Sequence, residues 1–297
     1  MRGVPLSRTP PKAVGDQLRK EVGFGCPVPG CGSPYLELHH FDPPWKTENH
    51  HNPAGMVALC RDHHPSADAG AFTLDQLREF KRNGADTAIK GRFDWRRRDL
   101  LLVLGSNFIY QQMNVIKLND IDVVSFSRDD AGYILLNANI PSVLPDDRAV
   151  IEENIWHNVG APKTLRCPPS GKELFIEYHN GDYLSIEFFE IDNAEGLRNR
   201  YEHAHGLPIP FPITTVEINL MVQGTNIDIN PKYSSISRGI MRNCFMSHNG
   251  GYAINYSDAA WKFRQNSAKY IDVRRPRNAA CLCGSGLRYK HCHGAIG

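Results

Sequence analysis

Cys26-Pro27-Val28-Pro29-Gly30-Cys31, then Leu36-Glu37-Leu38-His39-His40-Phe41-Asp42-Pro43, then Leu59-Cys60-Arg61-Asp62-His63-His64: these three runs decide how the N-terminal part of the chain folds. Cys26 and Cys31 close one short loop, and Cys60 with His63 forms a second knuckle further along. Three thiolates and one imidazole are the tetrahedral set that structural zinc prefers. Such a site leaves no ligand position open, so it folds a domain and cuts nothing.

Between the knuckles, alternating Leu36 and Leu38 predict a strand, on which the adjacent His39 and His40 point to opposite faces. One imidazole of that pair can bind a catalytic metal while the other stays unliganded, neutral and free to deprotonate water. Hydrolysis of a phosphodiester needs both a cation for the developing charge and a base for the nucleophile. Histidine suits the base because its unperturbed pKa lies near neutrality. His64 and Asp68, four residues apart, share one face of a helix and can approach the same cation. Six of the chain's 13 histidines fall between 39 and 64, more than a zinc site uses.

The combined pattern, Cys-x4-Cys, His-His-x-x-Pro and Leu-Cys-x-x-His-His, resembles the HNH family of the His-Me finger (ββα-metal) nucleases over residues 24 to 83. The resemblance implies two strands and a helix around a metal. It makes His39 the strand metal ligand, His40 the general base, His64 the helix metal ligand and Asp68 an accessory ligand. The family's middle Asn sits five residues before the second-knuckle Cys, where this chain has Gly55; Asn52, three residues earlier, is the candidate for orienting the base. His50 and His51 are rival ligands whose plainer role is that of exposed loop histidines.

Residues 277 to 294 hold a second four-ligand set: Cys281, Cys283, Cys292 and His293. Gly284 and Gly286 permit the tight turn between ligand pairs. The stretch resembles the SEC-C zinc motif at the C-terminus of the bacterial secretion ATPase, with Leu282 where that family has Pro. By that resemblance it is a docking module that recruits a protein or sits on an acidic partner, with its zinc closed to chemistry. A segment this short has no apolar core, so metal must hold it.

Charge divides the chain in the same way. Residues 1 to 98 carry 15 basic and 11 acidic side chains, a surplus of +4; residues 99 to 272 carry 14 and 21, giving −7; residues 273 to 297 carry 5 and none, giving +5. Basic ends around an acidic middle place any polyanion at the ends. No apolar run approaches the ~18 residues of a membrane span, and the first eleven residues lack a secretory h-region. The expectation is a cytoplasmic, bacterial protein with no membrane partner. Cys167 and Cys244 read as buried thiols without a chemical role. His157, His179, His203 and His205 are scattered and read as structural.

Thr73 to Lys90 predicts an amphipathic helix with Thr73 as N-cap. Gly91 to Asp99, with Trp95 and Arg96-Arg97-Arg98, reads as a linker. Short β-like segments follow at 100 to 104, 123 to 127, 133 to 140 and 215 to 222. Asn180-Gly181 between alternating runs predicts a hairpin. Residues 239 to 256 read as further strands or as rungs of a β-solenoid.

The expected fold class is α+β: an N-terminal ββα-metal (His-Me finger) nuclease domain over 1–92, a β-rich sensor or specificity domain over 93–272 and a small C-terminal zinc motif over 273–297. The expected function is a metal-dependent HNH endonuclease cutting DNA, in anti-phage defence or restriction. It would hold two structural Zn²⁺ and one catalytic Mg²⁺, Mn²⁺ or Ni²⁺. The alternatives are a non-catalytic zinc adaptor for nucleic acid or protein, and a structure-specific or mobile-element nuclease.

Overall fold

The computed structural model describes residues 6–144, 146–247, 251–261, 263, 278 and 288. The N-terminal part contains α1 (Lys12–Glu21), β1 (Leu36–His40), β2 (Met56–Cys60), α2 (His63–Asp68) and α3 (Leu74–Asn83). β1 and β2 pair antiparallel, with Leu36 opposite Cys60, His39 opposite Val57 and His40 opposite Met56. A local core of Leu18, Val22, Leu36, Met56, Leu59 and Leu77 ties the pair to α1 and α3. The predicted helix after Thr73 is α3, shorter than expected: Thr73 and Gln76 close a reciprocal capping box at its start, and Gly84, at φ 70°, ends it.

The rest is sheet. β3 (Leu100–Leu104), β4 (Asn107–Tyr110), β5 (Asn114–Leu118), β6 (Ile121–Arg128), β7 (Ile134–Asn139), β8 (Arg148–Glu152) and β9 (Ile155–Gly160) come first. β10 (Thr164–Arg166), β11 (Glu173–Glu177) and β12 (Tyr183–Ile191) lead into α4 (Ala194–Arg200). β13 (Ile213–Val222), β14 (Ile227–Asn230), β15 (Tyr233–Ile236), β16 (Gly239–Met241), β17 (Phe245–Ser247) and β18 (Tyr252–Tyr256) follow. Among the described residues these build a six-stranded sheet, β18-β5-β6-β7-β8-β9, and a ten-stranded sheet. The latter runs β10-β11-β12-β13-β14-β15-β16, with β3 also on β13 and β4 and β17 beyond it. Pairing is antiparallel except at β3–β13, β4–β17 and β5–β18.

Burial follows from alternation. Leu100, Leu102 and Leu104 join the main core, together with Ile116, Val124, Ile186 and Ile218 from both sheets. Leu101 and Val103 point the other way, into a second core with Ile191, Ile213 and Leu197 of α4. β3 is therefore covered on both faces, which is why it is an unbroken apolar run. The Asn180-Gly181 hairpin joins β11 to β12 as its sequence predicts, with Gly181 at φ 91°. Residues 239 to 256 are not solenoid rungs: β16 pairs with β15, β17 with β4 and β18 with β5, so none stacks on the next.

The expected α+β class with a ββα-metal nuclease domain is overturned. Strand makes up 39% and helix 14% of the described residues, antiparallel sheets dominate, and no ββα-metal nuclease fold is shown. The reason is physical: α2 is only six residues long, while the alternating segments from 100 onward pair into sheets that hold most of the buried surface. No helix among the described residues is long and apolar enough to cross a membrane.

A buried ion pair locks the two large sheets together. Arg148 at the start of β8 is 3.2 Å from Asp182 in the β11–β12 turn, and both are buried. Asp182 also accepts from Ser142 Oγ at 3.0 Å, Asn180 Nδ2 at 2.8 Å and the Gln223 backbone at 2.7 Å. Removing one partner strands a buried charge, so Asp182→Ala should lower unfolding stability by about 3–5 kcal/mol, read from urea denaturation. A loss below ~1 kcal/mol would show that the pair does not join the sheets.

Candidate metal centre

Chain geometry brings the first cysteine cluster together from three places. Cys26 follows α1, and its backbone N–H donates to Ser33 O at 2.8 Å while Cys31 N–H donates to Val28 O at 3.0 Å, folding the loop back on itself. Gly32 sits at φ 65° against the Ala88 carbonyl, a place no side chain fits. Cys60 ends β2 and His63 begins α2. Tetrahedral bonds of about 2.3 Å to sulfur imply ligand–ligand edges of roughly 3.8 Å. Cys31 Sγ and Cys60 Sγ lie 3.8 Å apart, and His63 Nδ1 is 3.2 Å from Cys60 Sγ and 3.4 Å from Cys26 Sγ. All four ligand atoms fall within 4.8 Å of one another, so the donor set and its spacing fit zinc. A hydrogen bond from the Cys26 thiol lowers the pKa of Cys60 and raises that of Cys26, which favours a thiolate at Cys60.

A second, open group lies beside it. His39, His64 and Asp68 each offer a ligand atom within the same 4.8 Å span. His39 Nδ1 is 3.4 Å from Asp68 Oδ1, His64 Nδ1 is 3.5 Å from Asp68 Oδ2, and the two imidazoles meet edge to face at 5.1 Å. Burial and the neighbouring His64 lower the pKa of His39, which favours the neutral form that binds metal. Glu37 completes the group, with Oε2 3.6 Å from His64 Nδ1. Alternation carries the signal for it, since residues 37 and 39 share a face of β1.

His40 points away from that group. It is 7% exposed, its Nε2 is buried without a hydrogen-bond partner, and burial lowers its pKa to about 4. His50 packs edge-on against it at 5.2 Å, and Trp45 and His51 lie at 4.8 and 5.9 Å. His50 and His51 are thus the walls of the His40 site, neither loose histidines nor members of the ligand group. With Arg8, Lys46 and Asp68, His39 and His40 line a cavity of about 460 Å³.

Asn52 reaches His40 only indirectly. Its Oδ1 accepts from Ala54 N–H at 3.1 Å and caps the turn Pro53–Gly55, while its own N–H donates to His50 Nδ1 at 3.1 Å. His50 Nε2 then donates to the Pro43 carbonyl at 2.9 Å. Gly55, where the HNH pattern has Asn, packs so closely on the Asp42 carbonyl that a Cβ there would collide with it. Cys167 is fully buried, as expected, whereas Cys244 is only half-buried, its thiol donating to the Arg242 carbonyl at 3.4 Å. Cys281, Cys283, Cys292 and His293 lie outside the described residues.

A family model, the SEC-C motif, matches residues 277–295, a stretch that contains those four. No HNH or His-Me nuclease family matches the chain. The SecA protein translocase subunit of Hyphomonas neptunium is 81% identical over 21 residues, 7% of this chain and 2% of that protein. The same subunit of Granulibacter bethesdensis is 44% identical over 46 residues, 16% of this chain and 5% of that protein. The chain thus spans at most 5% of the length of these relatives, and the likeness is confined to the short SEC-C region. No solved structure matches. The SEC-C stretch is a zinc-binding region, and the Cys26 cluster is compatible with zinc.

Metal analysis of the purified chain should find about two zinc ions, falling to about one in Cys60→Ala with a lower melting temperature. Unchanged zinc in that variant would remove Cys60 from the site.

Proposed function

We propose that the His39, His64 and Asp68 group holds a divalent cation for hydrolysis of phosphodiester bonds in DNA, making the chain a metal-dependent endonuclease. One observation carries the proposal: three ligand atoms converge beside β1, and His40, a buried imidazole whose Nε2 has no hydrogen-bond partner, lines the same cavity as His39 and Asp68. Three protein ligands leave positions for water and a phosphate oxygen, the pattern of catalytic and not structural sites. A cation bound there would supply charge stabilisation to the phosphate.

The protein's own groups do the remainder. His64 and Asp68 are presented together by one turn of α2, whose start is pinned by the Cys26 cluster. His40 is held neutral by burial and accepts the proton of the attacking water at an imidazole nitrogen. His50, fixed between Asn52 N–H and Pro43 O, keeps the His40 ring in place. Arg8 and Lys46 put positive charge on the cavity wall for the phosphates. The HNH-like spacing of the motif assigns the same jobs to His39, His40 and His64.

The comparisons favour a plainer alternative: a zinc-binding adaptor without catalysis, recruiting protein or nucleic acid. The SEC-C match and the closed Cys₃His cluster are what speak for it.

Incubation of the full chain with plasmid DNA and Mg²⁺, Mn²⁺ or Ni²⁺ separates the two. The hydrolase should cut, and His40→Ala should lose on the order of 100-fold or more in rate with zinc content and melting temperature unchanged. Supercoiled, branched and single-stranded substrates then define what is cut. Failure to cut any nucleic acid with any of the three metals rejects the hydrolase and leaves the adaptor.

A further inference from the structure

A cleft away from these groups is a different site. About 640 Å³ in volume, it lies in the seam where the Cys60–His63 knuckle and the segment 90–97 meet the ten-stranded sheet. It shares no residue with the His39 and His40 cavity, so a ligand held there is independent of the hydrolase proposal.

Its charge is one-sided. Six cationic side chains face three carboxylates. Arg61 is paired with Asp94 at 3.1 Å and Arg97 with Glu190 at 2.8 Å. Lys90, Arg92, Arg96 and Lys172 are exposed and form no ion pair with a described carboxylate. Although Asp86 lies within electrostatic reach of Lys90 and the Arg96 guanidinium lies 5.7 Å from the Tyr133 ring centre, four cations without an ion-pair contact converge from two parts of the fold and raise the local concentration of phosphate. Aromatic side chains form the rest of the wall: half-buried Trp95, packed on Phe188 at 4.2 Å, and half-buried Tyr35, packed on Phe93 at 5.6 Å. Ser33 and Thr214 also line it, the Thr214 hydroxyl donating to Glu190 at 2.6 Å.

Cations with flat apolar rings, in a volume within the range of small-molecule sites, match a ligand that is anionic at one end and planar at the other. A bare phosphate would leave the aromatic wall unused. We propose that the seam cleft binds a nucleoside phosphate, its phosphates on Lys90, Arg92, Arg96 and Lys172 and its base against Trp95. Arg61 comes from the zinc knuckle and Lys172 immediately precedes β11, so such a ligand would bridge the N-terminal module and the sheet.

Titration calorimetry of the zinc-loaded full chain, with no other divalent metal added, tests this using ATP, GTP, CTP and UTP. Tripolyphosphate, adenosine and a short DNA oligonucleotide serve as controls. At least one triphosphate should bind saturably, and Arg96→Gln and Lys172→Gln should each weaken it about ten-fold while melting like the parent. Ligand binding should also change tryptophan fluorescence in the parent and not in Trp95→Phe. Saturable binding of none of the four, binding unaffected by both glutamine variants, tripolyphosphate binding as tightly as the best nucleotide, or binding of the oligonucleotide alone would each overturn the proposal.

Discussion

Everything distinctive about the N-terminal module depends on four side chains meeting at one point. Cys26 and Cys31 come from a loop, Cys60 from the end of a strand and His63 from the start of a helix only six residues long. A helix of that length has little stability of its own, so its direction is set by what holds its first turn. With His63 tied to the cysteines, His64 and Asp68 have one place to go, against Glu37 and His39 on β1. Take away the tie and the open ligand group has no reason to exist.

The two imidazoles of β1 illustrate how one strand separates two chemistries. His39 faces carboxylates and a second histidine; His40, its neighbour, packs against His50, His51 and Trp45. Both are nearly buried, yet burial acts differently on them. His39 sits among groups that can share a cation, whereas His40 sits where a positive charge is unwelcome and its nitrogen has no protein partner. That separation follows from strand geometry alone and needs no loop rearrangement.

Local chemistry is legible in the sequence and non-local pairing is not. The Cys₃His set is visible because zinc demands particular residue types at short spacings, and the Asn180-Gly181 hairpin because its turn demands φ > 0. Thr73 announces α3 through a cap that involves residues three apart. The class of the whole chain is misjudged when a short motif rich in meaning stands for the fold, because parallel pairings such as β3 with β13, more than a hundred residues away, leave no local trace. Asn52 caps its own turn, since an Asx side chain finds a backbone N–H two residues on more easily than a distant imidazole. Glu37 and the enclosure of His40 by His50 and His51 depend on how a loop folds back, which spacing does not encode. The seam cleft is further removed still: its cations come from segments that meet only in the folded chain.

If a closed thiolate site positions an open histidine–carboxylate site, the two metals must be separable in place. Anomalous diffraction at the zinc and manganese edges, from one crystal of the full chain soaked in Mn²⁺, measures this. A zinc peak enclosed by Cys26, Cys31, Cys60 and His63 should appear, with a separate manganese peak bounded by His39, His64 and Asp68. A zinc peak at the thiolates with nothing at the second group, or a single metal drawing on residues of both, would contradict that arrangement.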